Sequence, residues 1–388
     1  MEKNKQIYLD HAATTPMDPQ VLEAMEPYLK EKYGNPSSIY AIGQTVKNDI
    51  QIARVEISEI LGCYPEEIIF TSGGTESDNL ALLGVARANK HKGNHIITTT
   101  IEHHAVLHPC EALEKEGFDV TYVPVEANGI VDPQKVKDAA REDTILISVM
   151  YANNEIGTIQ PIAKIGRFCK KRSIPFHTDA CQATGALMLN VDRLHLDLMT
   201  INGSKMYGPK GIGLLYVRQG TNIQPLIYGG EQERRIRPGT EYVAGIIGMA
   251  KALKLAQENM EKENDRLIEL RDYMIKELIE RIPKTKLNGD PELRLPNNVN
   301  VTISDIEGEA MLLRLDMAGV AASSGSACTS GSLDPSHVIL ALGESYERAH
   351  GSIRFTLGKD TTKKDIDYVL DVLPKIVEDL RAISPVSL

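Results

Sequence analysis

Lys205 stands where a lysine can do chemistry. It lies in Ile201-Asn202-Gly203-Ser204-Lys205-Met206-Tyr207-Gly208-Pro209-Lys210-Gly211-Ile212-Gly213, between the apolar runs Leu196–Ile201 and Gly213–Val217. Those runs read as buried strands, and the glycines and proline between them force a compact turn. An amine held just past a strand end can condense with an aldehyde cofactor. That reaction needs the uncharged amine, a state that a dry pocket favours. The same segment also fits a surface lysine in a glycine-rich loop. A second segment runs from the strand Glu67–Thr71 through Ser72-Gly73-Gly74-Thr75-Glu76-Ser77 into a helix over Asp78–Ala88. Strand, glycine turn and helix N-terminus make an anion cradle, although an ordinary capped turn has the same pattern. A third is the polar stretch from Ala321 to Pro335, rich in Ser and Gly, in which Cys328 sits. A thiol on such a segment can swing between two sites.

The elements that must position these groups alternate. A short strand, Ile7–Leu9, enters a loop, and Pro19 opens a helix over Val21–Tyr28. A second helix spans Gln44–Leu61. After the cradle come strand His95–Thr98, helix Ala105–Glu116, strand Val120–Val123, helix Asp132–Ala140, strand Thr144–Val149, helix Ile162–Arg172 and strand Pro175–Thr178, ending at Asp179. Strands alternating with helices predict a largely parallel sheet covered on both faces, with ligands outside the strands' carboxyl ends. The long helical region after Glu241 reaches Arg281 as one or two helices. Beyond it the pattern changes: strand Val299–Ile303, helix Gly308–Met317, strand Ser352–Thr356, and a last helix opened by Thr362-x-x-Asp365. Pro374 is expected to kink that helix. This is a smaller α+β unit.

The chain has 388 residues and a formal net charge of −10, which argues against general binding to nucleic acid or to anionic membranes. No apolar stretch is long enough to span a bilayer, and no signal-peptide pattern opens the chain, so the cytoplasm is the expected compartment. The five cysteines, Cys63, Cys110, Cys169, Cys181 and Cys328, form no Cys-x-x-Cys pair. Their irregular spacing speaks against zinc or a disulfide framework, and no resident metal is expected. Cys181 reads as structural.

From Asp10-His11-Ala12-Ala13-Thr14-Thr15-Pro16 to Ser352-Ile353-Arg354-Phe355-Thr356-Leu357-Gly358, the chain resembles the cysteine desulfurases of the NifS/IscS type, pyridoxal-phosphate enzymes of the class-V aminotransferase group. The resemblance implies an α/β protein of fold type I. Its large domain would span 15–260, with a mostly parallel seven-stranded sheet. Its small domain would combine 1–14 with 261–388 and carry the mobile cysteine loop at about 321–335. It further implies that Lys205 is the Schiff-base lysine, and that Gly74 and Thr75 form the phosphate turn with Asn202 and Ser204 nearby. Asp179 would face the pyridine nitrogen, Gln182 the ring hydroxyl, and His103 would stack on the ring. A carboxylate at that nitrogen keeps it protonated, so the ring can accept electrons. Asn154 and Arg354 match groups near the substrate, since an arginine fork binds a carboxylate. Thr240, in Arg237-Pro238-Gly239-Thr240, matches a residue reaching the phosphate of a neighbouring subunit, which implies a homodimer.

The reaction implied is removal of sulfur from L-cysteine. Lys205 would move the α-proton, and Cys328 would take the sulfur as a persulfide, leaving L-alanine. The expected destinations are an iron–sulfur cluster scaffold or a tRNA-thiolation relay, with Cys328 ligating a cluster transiently with a partner. Two alternatives remain: a selenocysteine lyase or another pyridoxal-phosphate β-lyase, and a non-catalytic platform for sulfur-relay proteins. The chain also departs from the family pattern. Ser204 precedes the lysine where histidine is common, Asn202 stands where serine is common, and Tyr40 stands where relatives often have histidine. His104 falls at a variable position and reads as structural.

Overall fold

The computed structural model of the chain describes residues 6–325 and 334–383, so Cys328 lies outside the described residues. In chain order the strands are β1 (Ile7–Tyr8), β2 (Ile68–Thr71), β3 (His95–Thr99), β4 (Asp119–Val123), β5 (Thr144–Ser148), β6 (Phe176–Asp179), β7 (Leu198–Asn202), β8 (Gly213–Val217), β9 (Thr285–Leu287), β10 (Asn298–Ile303), β11 (Val320–Ala321) and β12 (Ser352–Thr356). The helices are α1 (Pro19–Lys30), α2 (Ala41–Leu61), α3 (Gly74–Asn89), α4 (His104–Lys115), α5 (Pro133–Ala139), α6 (Ile162–Arg172), α7 (Val191–Leu194), α8 (Val243–Glu258), α9 (Met260–Arg281), α10 (Gly308–Met317), α11 (His337–Ala341), α12 (Tyr346–His350) and α13 (Lys363–Ile383).

Seven strands form one sheet in the order β2-β8-β7-β6-β5-β3-β4. The β7, β6, β5, β3 and β4 pairings are parallel, whereas β8 is antiparallel to both β2 and β7. Six strands therefore point one way, and their carboxyl ends share one edge. Side chains alternate between the two faces, as strand geometry requires. Ile68, Ile97, Ile147 and Tyr216 pack with α1, α2, α6 and α8 on one face. Their neighbours Ile69, Ile96, Leu146 and Leu215 pack with α3 and α4 on the other. Burial on both faces explains why these strands read as continuous apolar runs rather than alternating ones.

A second, three-stranded antiparallel sheet, β12-β10-β9, builds its own core with α9, α10 and α13. The start of the chain joins this part. β1 pairs in parallel with β11, and Asp10 bridges to Thr356. Helix α13 runs through Pro374 as one element and is not broken there. Leu370, Leu373, Ile376 and Val377, on both sides of the proline, are buried in the core, and their packing outweighs the single lost backbone bond. Helix α3 also begins earlier than its sequence suggests. Gly73, with φ 154°, is its N-cap, and no side chain caps it. A Ser/Thr capping signal therefore misplaces its start.

Candidate active site

A cavity of about 210 Å³ lies at the carboxyl edge of the large sheet. It is lined by Gly74 and Thr75 beyond β2, His103 beyond β3, Asn154 beyond β5, Asp179 and Gln182 at the end of β6, and Asn202 and Lys205 at the end of β7, with Arg354 of β12 opposite. A larger groove of about 510 Å³, lined by Thr144, Pro175 and Asp197, sits at the amino ends of the strands. The smaller cavity is the candidate site, because it gathers a lysine, a buried carboxylate and a buried arginine at the edge where parallel sheets bind ligands.

Each wall has a local cause. At the cradle, Gly74 and Thr75 open α3 on the cavity wall, where no side chain caps the helix and its first N–H groups have no carbonyl one turn back to bond. A side chain at Gly74 would be crowded. A Cβ there would lie 2.8 Å from Cys181 Sγ and 3.5 Å from Asn202 Cβ. His103 is the N-cap of α4, and its Nδ1 accepts from Ala105 N–H at 3.1 Å. That bond leaves the proton of the neutral ring on Nε2. Asp179 is buried, and its Oδ1 accepts from Cys181 N–H at 2.9 Å. Asn202 caps the 3-10 turn Gly203–Lys205, where its Oδ1 accepts from Ser204 N–H and Ser204 Oγ, both at 3.2 Å.

The opposite wall comes from the second unit. Lys205 Nζ donates to Ala12 O at 2.8 Å and Ala13 O at 2.5 Å, and Gln182 Nε2 donates to Ala12 O at 2.9 Å. This Asp10–Ala13 segment is held by β12. His11 Nδ1 bonds Thr356 O at 2.9 Å, and Ala12 N–H donates to Thr356 Oγ1 at 2.8 Å. Arg354 is 1 % exposed, donating from Nη2 to Asp10 Oδ1 at 2.8 Å and from Nη1 to Asn154 O at 2.9 Å. Its Nε meets no acceptor among the described residues. A buried guanidinium with an N–H left over is suited to a further carboxylate.

Ser204 and Thr240 are not on the cavity wall. The Ser204 hydroxyl is engaged with Asn202, and Thr240 is exposed on the loop whose Arg237 pairs with Glu76 at 2.8 Å. Cys328 lies outside the described residues, and both flanks of its segment are anchored beside the cavity. Ser323 exchanges backbone hydrogen bonds with Arg354, and His337 Nε2 donates to Glu102 O at 3.0 Å. Buried Glu155 bonds Ser336 and lies 3.2 Å from where a Cβ on Gly325 would be.

Asp10, the Ala12 and Ala13 carbonyls, Asp78 and Glu102 were missed as site residues from sequence. Only the Asp10-His11-Ala12-Ala13 motif signalled any of them. Glu102 is wholly buried, and burial pushes its carboxyl up to about 8 despite bonds from Thr99 and Met150. The Cys181 thiol is pushed well up by burial, with Asp179 and Asp78 adding to the effect. Burial and then His337, His108 and His103 hold His104 down, at about 4. Among the described residues no cluster of His, Cys, Asp and Glu is arranged to hold a metal ion, and no helix is long and apolar enough to cross a membrane.

The profile of the class-V aminotransferases matches residues 7–369. The chain belongs to the class-V aminotransferase family. It is 57% identical over 381 residues to a protein named cysteine desulfurase IscS from Dictyoglomus turgidum, covering 98% of this chain and 97% of that one. It is 54% identical to a protein of the same name from Methanosarcina thermophila, covering 99% and 95%. A solved NifS-like protein superimposes with a TM-score of 0.91 at 37% identity, covering 97% of this chain and all of that one. A NifS-like protein from Rickettsia africae gives 0.87 at 32% identity, covering 96% and 99%.

Class-V aminotransferases of the cysteine desulfurase kind depend on pyridoxal phosphate, and the donors here fit that group. The open first turn of α3 suits a phosphate, and Gly74 leaves room beside it that a Cβ would take. Asp179, buried at the end of β6, suits a pyridinium nitrogen, and Lys205 supplies the amine.

Proposed function

We propose that this chain is a pyridoxal-phosphate-dependent cysteine desulfurase that takes sulfur from L-cysteine and leaves L-alanine. The observation that carries the reading is the convergence of Lys205, Asp179 and Arg354 on one cavity at the sheet's carboxyl edge. The near full-length identity to proteins named cysteine desulfurase supports it.

In this reading Gly74, Thr75 and Asn202 hold the phosphate, Asp179 the ring nitrogen, Gln182 the ring hydroxyl and His103 the ring face. When bound, the cofactor supplies an electron sink for the pair released at the substrate's Cα. Lys205 would hold the cofactor by its aldehyde carbon and, as a free amine, would move the substrate's α-proton. The Ala12 and Ala13 carbonyls aim that amine across the cavity. Arg354, steadied by Asp10 and the Asn154 carbonyl, would bind the substrate carboxylate. The Cys328 thiolate takes the substrate's sulfur, forming an S–S bond as the Cβ–S bond breaks. Glu155 and Ser323 tie the flanks of its segment to the rim.

The wider reading includes a homodimer in which Thr240 reaches the neighbouring subunit's phosphate, with Ser204 adding a contact. It divides the chain into domains at 15–260 and at 1–14 with 261–388. It places the protein in the cytoplasm, delivering sulfur to an iron–sulfur scaffold or a tRNA-thiolation acceptor. The test is product analysis. The cofactor-loaded protein given L-cysteine and a thiol reductant should yield alanine and sulfide in equal amounts. Pyruvate and ammonia instead would make it a β-lyase, and no turnover would refute the reading.

A further inference from the structure

Beneath the cavity lies a layer of ionisable groups with too few charges to balance one another. Asp78, on α3, is 1 % exposed and forms part of the cavity wall. Its Oδ1 accepts no hydrogen bond from the described residues and lies 3.6 Å from His177 Nε2. His177 is no cation to balance it. That ring is wholly buried between Ser148 Oγ, 2.8 Å from Nδ1, and Thr200 Oγ1, 3.1 Å from Nε2. Burial holds it down at about 4. The other groups around Asp78 are acids or a thiol: Asp179 on β6, Cys181 just beyond it and Glu102 after β3. Two cations line the same cavity: Lys205, past β7, whose Nζ also donates to the Ala12 and Ala13 carbonyls, and Arg354 of β12, which pairs with Asp10.

A buried carboxylate without a cation or a full set of donors is strongly disfavoured, and two neighbouring carboxylates in one dry layer do not both ionise. Asp179 Oδ1 receives the Cys181 N–H; Asp78 has the Thr200 hydroxyl, but its Oδ1 receives nothing from the described residues. We propose that Asp78 is a positioning residue: a neutral carboxylic acid that, with Thr200 and His177, spares the neighbouring Asp179 a second negative charge in the same dry layer. The direction of the Asp78 acidity agrees. Its carboxyl is raised well above the usual range by burial, then by Asp179, against the Thr200 hydroxyl. Asp78 touches neither substrate nor reacting atoms in this account. It acts through Asp179.

The proposal rests on the pyridoxal-phosphate reading only for its second test. The first uses infrared spectra of the apoprotein at neutral pH. Asp78→Asn should remove a protonated-carboxyl band, separate from the one removed by Glu102→Gln. If Asp78→Asn removes an ionised carboxylate band instead, the proposal fails. The second measures pyridoxal-phosphate affinity across pH. Asp78→Ala, which leaves His177 and Thr200 facing a gap, should weaken binding by about tenfold. Asp78→Asn, which copies the neutral acid, should restore most of it without shifting the pH profile. Equal weakness in both variants, or wild-type affinity in Asp78→Ala, would overturn the assignment. A wild-type protein that binds no pyridoxal phosphate would refute the cofactor reading, while the infrared result would still decide the state of Asp78.

Discussion

On the sheet side of the cavity, Gly74, His103, Asp179, Asn202 and Lys205 each sit at a strand end or in the turn that follows it. On the opposite side, Asp10, Ala12, Ala13 and Arg354 come from two segments more than 300 residues apart, joined through Thr356. The sheet side is fixed by short-range causes: a cap, a glycine turn, a strand register. The opposite side exists only because the start of the chain pairs with β11 and β12. Chemistry on the first side should therefore fail residue by residue, and the second side should fail as a unit.

The largest effect is expected on the sheet side. Lys205→Ala should lower alanine formation from L-cysteine by about 10³-fold or more, because it removes the group that moves the proton. The folded protein should remain, with cofactor that is lost on gel filtration. Retained turnover would place the chemistry elsewhere.

Arg354→Ala tests the opposite side. It strips the partner from Asp10, whose side chain is 16% exposed, so a loss of about 3 kcal/mol in urea unfolding is expected. KM for L-cysteine should rise as well, and Arg354→Lys should restore stability better than KM, since an ammonium lacks the planar fork. Unchanged stability would show that the two segments are not held by this pair.

Gly74→Ala is the sharper local test. The added Cβ would press on Cys181 Sγ, and about tenfold weaker cofactor binding is expected. Adding Cys181→Ala should restore it, a coupling that a double-mutant cycle measures. Failure of the rescue would mean that the strain lies in the turn and not in the thiol.

The smallest effect concerns pH. Burial raises the Glu102 carboxyl to about 8, whereas in the unfolded chain such a group titrates near ~4.3. Between those values the folded state keeps a proton that the unfolded state has released. Stability from this group is therefore full below the lower value and declines as pH rises through the window. Glu102→Gln should flatten that decline in denaturant midpoints measured across the same range. An unchanged slope would assign it to another group.

The large sheet was legible in sequence because its strands, buried on both faces, stand out as apolar runs bounded by glycine and helix signals. The expected helix Ile162–Arg172 and the strands Gly213–Val217 and Ser352–Thr356 have the same limits in the structure. Short elements without an apolar period, such as α7, α11, α12, β9 and β11, carried no such signal. Lys205, Asp179, His103 and Gly74 were legible because their local motifs set their geometry. Asp10's pairing with Arg354, and the isolation of Asp78 among neutral groups, arise from tertiary contacts that no local pattern encodes.

The most direct test of the account follows the sulfur itself. The cofactor-loaded protein, incubated briefly with L-cysteine and without reductant, is digested and examined by mass spectrometry. The account predicts one added sulfur on the peptide containing Cys328, absent in Lys205→Ala. Sulfur on another cysteine, or equal labelling in the lysine variant, would contradict it.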